Sequence, residues 1–139
     1  VVILASEEAV AKHNLTPLAR LVSYHVSGCD PSIMGIGPVP AARRALEKAG
    51  LSVADMDLCE VNEAFAAQFL AVQQELGLDI EKTNTNGGAV ALGHPVGASG
   101  SRITAHLAHE LRRVGGKYAL GSACIGGGQG IAVILENTQ

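Results

Sequence analysis

Three polar side chains stand in short motifs that could do chemistry: Asn62 in VNEAF, His94 in GHPVGASG and Cys124 in SACIGGGQG. An imidazole and a thiol can exchange a proton near neutral pH, and an adjacent imidazole is expected to lower the pKa of the thiol. An amide can position a water molecule without changing its own charge. These three residue types together predict acid–base chemistry at a carbonyl group.

Glycines surround these side chains and would let a substrate lie close to the main chain, because glycine adopts positive φ freely and has no side chain. The N–H groups of residues 126–128 could hold a developing oxyanion. Pro95 favours an extended backbone at His94, and the helix that begins near Gly100 favours negative charge at its start. We therefore expect His94 to point into a substrate pocket.

Each of these side chains also has a purely structural interpretation. Cysteine is among the most often buried residues, so Cys124 alone is typical of a packing residue. Asn62 alone is typical of a helix N-cap, whereas His94 alone leaves both interpretations open. Cys29 and Cys59 carry no motif and are predicted to be structural.

Composition excludes several classes of protein. The chain has 139 residues, of which 47% are hydrophobic and 17% charged, and its net charge is −3. This balance predicts a globular domain and argues against a nucleic-acid partner, which would require clustered Lys and Arg. Three cysteines without CxxC spacing argue against a disulfide framework and against a metal site. No apolar run approaches the roughly 18 residues of a membrane span.

Hydrophobic periodicity and turn residues predict alternating strands and helices, hence an α/β layered fold. Predicted strands are residues 1–5, 18–26, 57–61, 118–125 and 131–135; predicted helices are residues 7–13, 41–49, 64–76 and 101–114. Residues 27–40 are predicted to form a loop, from their Gly and Pro content. The last two strands should form an antiparallel hairpin, and their continuous apolar sequence predicts a sheet that helices cover on both faces. His106 and His109, on the last helix, are expected to be surface or packing residues.

The three motifs, in this order and spacing, resemble the thiolase family, and "GCDPSIMGIGPVPA" and "GIAVILE" extend the likeness over nearly the whole chain. The likeness is to the C-terminal half of a degradative, mitochondrial thiolase. It implies a thiolase-like layered fold, with a mixed sheet covered by helices on both faces, as the C-terminal copy of a duplicated βαβαβαββ unit. Residues 1–16 would then end the preceding half, as a strand and a helix. Residues 17–139 would form the C-terminal thiolase domain.

The resemblance implies a role for each motif residue. His94 would activate a nucleophilic cysteine and line an oxyanion hole. Cys124 would be the general acid/base that protonates the leaving acetyl-CoA carbanion and later deprotonates CoA. Asn62 would hold the water of that oxyanion hole. The N–H of Gly126 would be a donor to the acyl-enzyme oxyanion.

Other implications of the resemblance concern the substrate and its surroundings. Phe65 and Met34 would lie near the acyl pocket. Coenzyme A would be a co-substrate, with no permanently bound cofactor, and the reaction would be thiolysis of 3-ketoacyl-CoA to acetyl-CoA and a shortened acyl-CoA in fatty acid β-oxidation. The expected location is the mitochondrial matrix, and the expected assembly is a homodimer or homotetramer.

One part of the family pattern has no counterpart in this chain. The acylated cysteine of thiolases lies in their N-terminal half, so we expect these residues to be a fragment, inactive without that missing half. Two alternatives stay open: a ketoacyl synthase-type condensing enzyme and a non-catalytic acyl-CoA-binding module. A ketoacyl synthase would place His or Asn at Cys124, so this cysteine favours a thiolase.

Overall fold

The computed structural model describes residues 1–139 and contains one four-stranded sheet. Its strands are β1 (Ala19–Gly28), β2 (Leu58–Val61), β3 (Tyr118–Ile125) and β4 (Gln129–Asn137), in the spatial order β1-β4-β3-β2. Strand β4 is antiparallel to both β1 and β3, whereas β2 is parallel to β3. The predicted mixed sheet and C-terminal hairpin are therefore confirmed.

Strand β1 lies at one border of the sheet, with β4 on its only paired side. The pairing register between these two strands shifts between Leu21 and Ser23, which marks a β-bulge. At the other border, Thr83 forms an isolated parallel bridge with Cys59 of β2. Counting this bridge as a rudimentary strand, the order of elements after α1 follows the expected βαβαβαββ unit.

Five α-helices accompany the sheet: α1 (Glu7–His13), α2 (Pro38–Ala49), α3 (Ala66–Leu76), α4 (Ala89–Leu92) and α5 (Ser99–Val114). The side chain of Ser6 caps α1 by accepting from the N–H of Ala9. Helices α2, α3 and α5 each end at a glycine in the left-handed conformation, where a residue with a side chain would be strained. None of these helices is both long and apolar enough to cross a membrane.

Two hydrophobic clusters cover opposite faces of the sheet. Helix α2 packs on one face through the buried side chains Ala41, Ala42, Ala45 and Leu46, together with Leu120 and Ile134 of the sheet. Helix α5 packs on the other face through Ile103, Leu107 and Leu111, together with Leu58, Ala119 and Leu135. The prediction of a sheet covered by helices on both faces is therefore confirmed.

Two predicted elements are wrong. Residues 1–5 form no strand: the segment is exposed and has no pairing partner, and an apolar β-branched run becomes a strand only where another strand accepts its hydrogen bonds. Residues 27–40 are not a loop but contain the end of β1, a 3₁₀ helix (Pro31–Ile36) and the first turn of α2. Each of these helices starts with a proline, which is favoured at the first helical position.

Candidate active site

The carboxyl ends of β2 and β3 meet at one end of the sheet, because the two strands run parallel with Val61 opposite Ser122. Asn62 follows β2 directly, and its N–H donates to the carbonyl of Ser122 at 2.9 Å. Cys124 lies two residues farther along β3. The topology thus places Asn62 and Cys124 at the same sheet end, where α/β proteins commonly build their sites.

Asn62 and His94 are joined directly. His94 follows α4, after Gly93, whose φ of 94° lets the chain turn sharply. The Asn62 Nδ2 atom lies 3.4 Å from His94 Nε2. Because an amide nitrogen can only donate, Nε2 is the acceptor of this bond. Asn62 is fully buried and His94 is exposed, so the buried amide holds one nitrogen of a ring that faces solvent.

Asn62 is not the helix N-cap that its alternative interpretation predicted. The N-cap of α3 is Phe65, three residues later. The Oδ1 atom of Asn62 is buried and has no hydrogen-bond partner in the protein. A buried amide oxygen without a partner is rare and commonly accepts from a water molecule or a ligand.

The thiol of Cys124 differs from the expectation in the direction of its pKa. Burial raises the pKa of this half-buried thiol, and the nearby Cys29 adds to the rise. The predicted lowering by an adjacent imidazole is wrong, because His94 bonds instead to Asn62 and Ser99. At neutral pH the Cys124 thiol therefore carries its proton.

Ser99 holds the other nitrogen of the His94 ring and was missed in the sequence. Its Oγ lies 2.6 Å from His94 Nδ1, and Ser99 is buried as the first residue of α5. Its position in the sequence could have identified it, because Ser99 follows His94 by five residues, across one tight turn that leads into a helix. A serine there can reach back to the ring.

Glu63 was also missed, and it anchors the segment that leads to His94. Its Oε1 accepts from Asn84 Nδ2 at 2.8 Å, and its Oε2 accepts from the N–H of Val90 at 2.9 Å. The amide of Asn84 also bonds the main chain at the end of β2. Gly88 packs so closely on this carboxylate that a β-carbon would overlap it. The neighbouring residues Asn62 and Glu63 thus hold the His94 ring and helix α4, which precedes it.

The remaining predicted site residues lie on the surrounding loops. Gly126 is exposed in the β3–β4 turn, two residues after Cys124. Phe65 is 63% exposed at the start of α3, instead of packing with that helix's apolar side. Met34 is partly buried in the 3₁₀ helix that precedes α2. No group of three His, Cys, Asp or Glu side chains is placed to hold a metal ion.

Residues 15–137 match the protein family described as thiolase, C-terminal domain. The chain is 77% identical to human mitochondrial 3-ketoacyl-CoA thiolase over 137 residues, which are 99% of this chain and 34% of that protein. It is 58% identical over 136 residues to the 3-oxoadipyl-CoA/3-oxo-5,6-dehydrosuberyl-CoA thiolase of Escherichia coli (strain K12), covering 96% of this chain and 34% of that protein.

The fold matches solved structures of the same kind. The crystal structure of human mitochondrial 3-ketoacyl-CoA thiolase in complex with CoA superposes with a TM-score of 0.96 at 77% identity, over 97% of this chain and 34% of that one. The chain thus spans 34% of the length of the relatives described here.

Proposed function

Since this chain belongs to the thiolase family and matches its C-terminal domain, we propose that it supplies the acid–base part of a 3-ketoacyl-CoA thiolase. The reaction would be cleavage of 3-ketoacyl-CoA by CoA, giving acetyl-CoA and a shortened acyl-CoA in fatty acid β-oxidation. Similarity to a human protein named as mitochondrial supports a mitochondrial location, within which we propose the matrix.

The contact between Asn62 and His94 is the observation that carries this proposal. The amide donates to Nε2, so that nitrogen carries an electron pair and no proton, and it can take a proton once the Asn62 donor turns away from it. In the proposed reaction, Nε2 takes the proton of the nucleophilic cysteine, which the rest of the protein would supply. The resulting Nε2–H then donates to the thioester oxygen. The unpartnered Oδ1 of Asn62 is suited to hold the second donor of that oxyanion hole, a water molecule.

Cys124 would perform the proton transfers to and from carbon and sulfur. Because burial raises the pKa of its thiol, Cys124 is protonated at neutral pH and can give that proton to the acetyl-CoA carbanion as the carbon–carbon bond breaks. The thiolate that remains can then take the proton of incoming CoA. The N–H of Gly126, two residues beyond, is proposed as a donor to the acyl-enzyme oxyanion.

The remaining parts of the proposal concern binding and assembly. We place Phe65 and Met34 near the acyl chain of the substrate, with CoA as co-substrate. The partner of this domain would be the N-terminal half of a thiolase, with the boundary between residues 16 and 17. A homodimer or homotetramer is the proposed assembly.

Substitution of Cys124 in a full-length thiolase that carries this domain tests the proposal. We expect Cys124→Ala to lower the thiolysis rate by roughly 10²–10⁴-fold, the usual contribution of a general acid–base group, with CoA affinity nearly unchanged. Cys29→Ala is the matched control, since it removes a neighbouring thiol that has no proposed role.

The outcomes separate the alternatives. Unchanged thiolysis in Cys124→Ala would refute the acid–base role. A parent protein that binds acyl-CoA without cleaving it would favour a binding module. Condensation without thiolysis would favour a synthase. The 139 residues alone are expected to be inactive, so turnover by that segment would also contradict the proposal.

A further inference from the structure

We propose that Ser99 is a positioning residue that fixes the tautomer and the ring orientation of His94. This inference rests on the proposed thiolase function for its catalytic consequence. Its structural part concerns only the protons of the ring. Ser99 itself would not touch the substrate, because it is 4% exposed and lies behind the imidazole.

The hydrogen-bond partners of the His94 ring indicate which ring nitrogen carries the proton. The Ser99 Oγ lies 2.6 Å from His94 Nδ1 and 3.2 Å from the carbonyl oxygen of Pro95. A hydroxyl has one proton, and a carbonyl oxygen can only accept. We assign the hydroxyl proton to the Pro95 contact, so that the Ser99 oxygen accepts from Nδ1–H. At the other side of the ring, Asn62 Nδ2 can only donate, so Nε2 carries no proton. Both contacts thus select the same neutral tautomer.

The backbone makes this arrangement rigid. The same Pro95 carbonyl accepts from the N–H of Ala98 at 2.7 Å and from the N–H of Ser99 at 2.8 Å, which closes the turn between His94 and α5. Ser99 therefore sits on a helix that is anchored to the sheet, and its hydroxyl is aimed by main-chain geometry. The ring of His94 is exposed and would otherwise be free to rotate.

The chemical type of the partner also matters. A carboxylate behind an imidazole orients the ring and adds a negative charge. The Ser99 hydroxyl orients the ring without adding a charge. His94 can thus receive a proton at Nε2 and release it again without breaking a buried ion pair, as each catalytic cycle would require.

The test compares three variants of a full-length thiolase that carries this domain. Ser99→Ala removes the acceptor of Nδ1–H, whereas Ser99→Thr keeps a hydroxyl at the same atom. Thr104→Ala is the matched control, because the Thr104 hydroxyl donates to the carbonyl four residues earlier on the same helix, at 2.8 Å, but lies more than one turn after Ser99 and makes no hydrogen bond to His94. The measurements are kcat, KM for CoA, and the ¹⁵N chemical shifts of the His94 ring, assigned by comparison with His94→Asn.

In the parent protein the ¹⁵N shifts should show a single tautomer with its proton on Nδ1. Ser99→Ala should give a mixture of the two tautomers and a kcat that is roughly ten- to hundredfold lower, with KM nearly unchanged. Ser99→Thr and Thr104→Ala should both behave like the parent.

Three results would overturn the inference: a parent ring with its proton on Nε2, an unaltered tautomer in Ser99→Ala, or equal losses in Ser99→Ala and Thr104→Ala. The ¹⁵N shifts do not depend on turnover. A fixed Nδ1–H tautomer in a parent protein without thiolysis would therefore refute the proposed function while leaving the assignment of Ser99 intact.

Discussion

Two histidines on neighbouring parts of this domain make nearly the same contacts with different chemistry. In His94, Nδ1 faces the Ser99 hydroxyl at 2.6 Å and Nε2 faces the amide of Asn62 at 3.4 Å. In His106, Nδ1 faces the Glu60 carboxylate at 2.6 Å and Nε2 faces the amide of Asn86 at 3.0 Å. Each ring thus has an amide donor on one side and a short contact to oxygen on the other.

The oxygen makes the difference. Glu60 is fully buried and is also paired with Arg102 of α5, so His106 belongs to a fixed cluster around a buried carboxylate between β2 and α5. His94 has only neutral partners and faces solvent. A buried carboxylate must keep its partners, because an unpaired buried charge is costly. The comparison teaches that a histidine contributes to stability where its partner is a buried charge. Where its partners are neutral, as at His94, a histidine is suited to proton transfer.

Exchange of each histidine for asparagine tests this division and should give the largest effect. In a full-length thiolase that carries this domain, His94→Asn should lower kcat by roughly 10²–10⁴-fold, because it removes the group that accepts the proton. His106→Asn should leave kcat near that of the parent and lower the thermal unfolding temperature instead. Steady-state kinetics and thermal scans on both variants are the measurements. Similar kinetic losses in the two variants would show that the division is false.

Glu60 of β2 and Asn62, which follows that strand directly, face these two rings and provide the second test. Glu60→Ala should destabilise the protein by about 3–5 kcal/mol, because it leaves Arg102 without its buried partner. Asn62→Ala should cost much less, since the Asn62 Oδ1 atom has no protein partner to lose. Urea unfolding of the two variants measures the difference. Equal unfolding midpoints would contradict the assignment of stability to the Glu60 cluster.

Acid titration of Glu110, on the same helix as His106, should give the smallest effect. The side chain of Arg113 bonds this buried carboxylate and lowers its pKa to about 2, from an ordinary value of 4.5. Below pH 4.5 the unfolded chain binds a proton that the folded chain does not, so this contribution to stability is lost as the pH falls towards 2.

Replacement of Arg113 should flatten that pH dependence. Because the Arg113 side chain is largely exposed, we expect Arg113→Gln to cost no more than about 1 kcal/mol at neutral pH. Arg112→Gln is the matched control, since Arg112 forms no ion pair on the same turn. Thermal scans between pH 5 and pH 3 compare the two variants. A parallel decline of all three proteins would refute the role of this pair.

Much of the fold could be predicted because its helices and strands carry local signals. Helix α5 has apolar residues at helical spacing and a terminal glycine, and the β3–β4 hairpin has a glycine turn between apolar runs. The strand predicted at residues 1–5 failed because strand formation depends on a partner that local sequence does not reveal. The prolines of residues 27–40 predict a loop by their usual effect on regular structure, although proline also starts helices.

The candidate site was predictable as a set of motifs but not as a set of contacts. Glycine-rich turns and unusual polar residues marked Asn62, His94 and Cys124, and the structure joins the first two directly. The contact of Ser99 with His94 was not predicted, and His106, expected to be a surface or packing residue, instead bonds the buried Glu60, because these partners lie elsewhere in the sequence or across a turn of the chain. The pKa of Cys124 was predicted in the wrong direction, since burial by the whole fold outweighed the neighbour assumed from its motif.

The irregular outer strand has a consequence for how this segment behaves in solution. Border strands with free N–H and C=O groups can template pairing with foreign chains. The bulge between Leu21 and Ser23 bends β1 where it pairs with β4, but the stretch from Ser23 to Gly28 stays regular and exposes Tyr24 and Val26. If the 139 residues are produced alone, intermolecular aggregation would therefore start on this stretch. The substitution Val26→Lys would oppose it by placing a charge on the exposed strand.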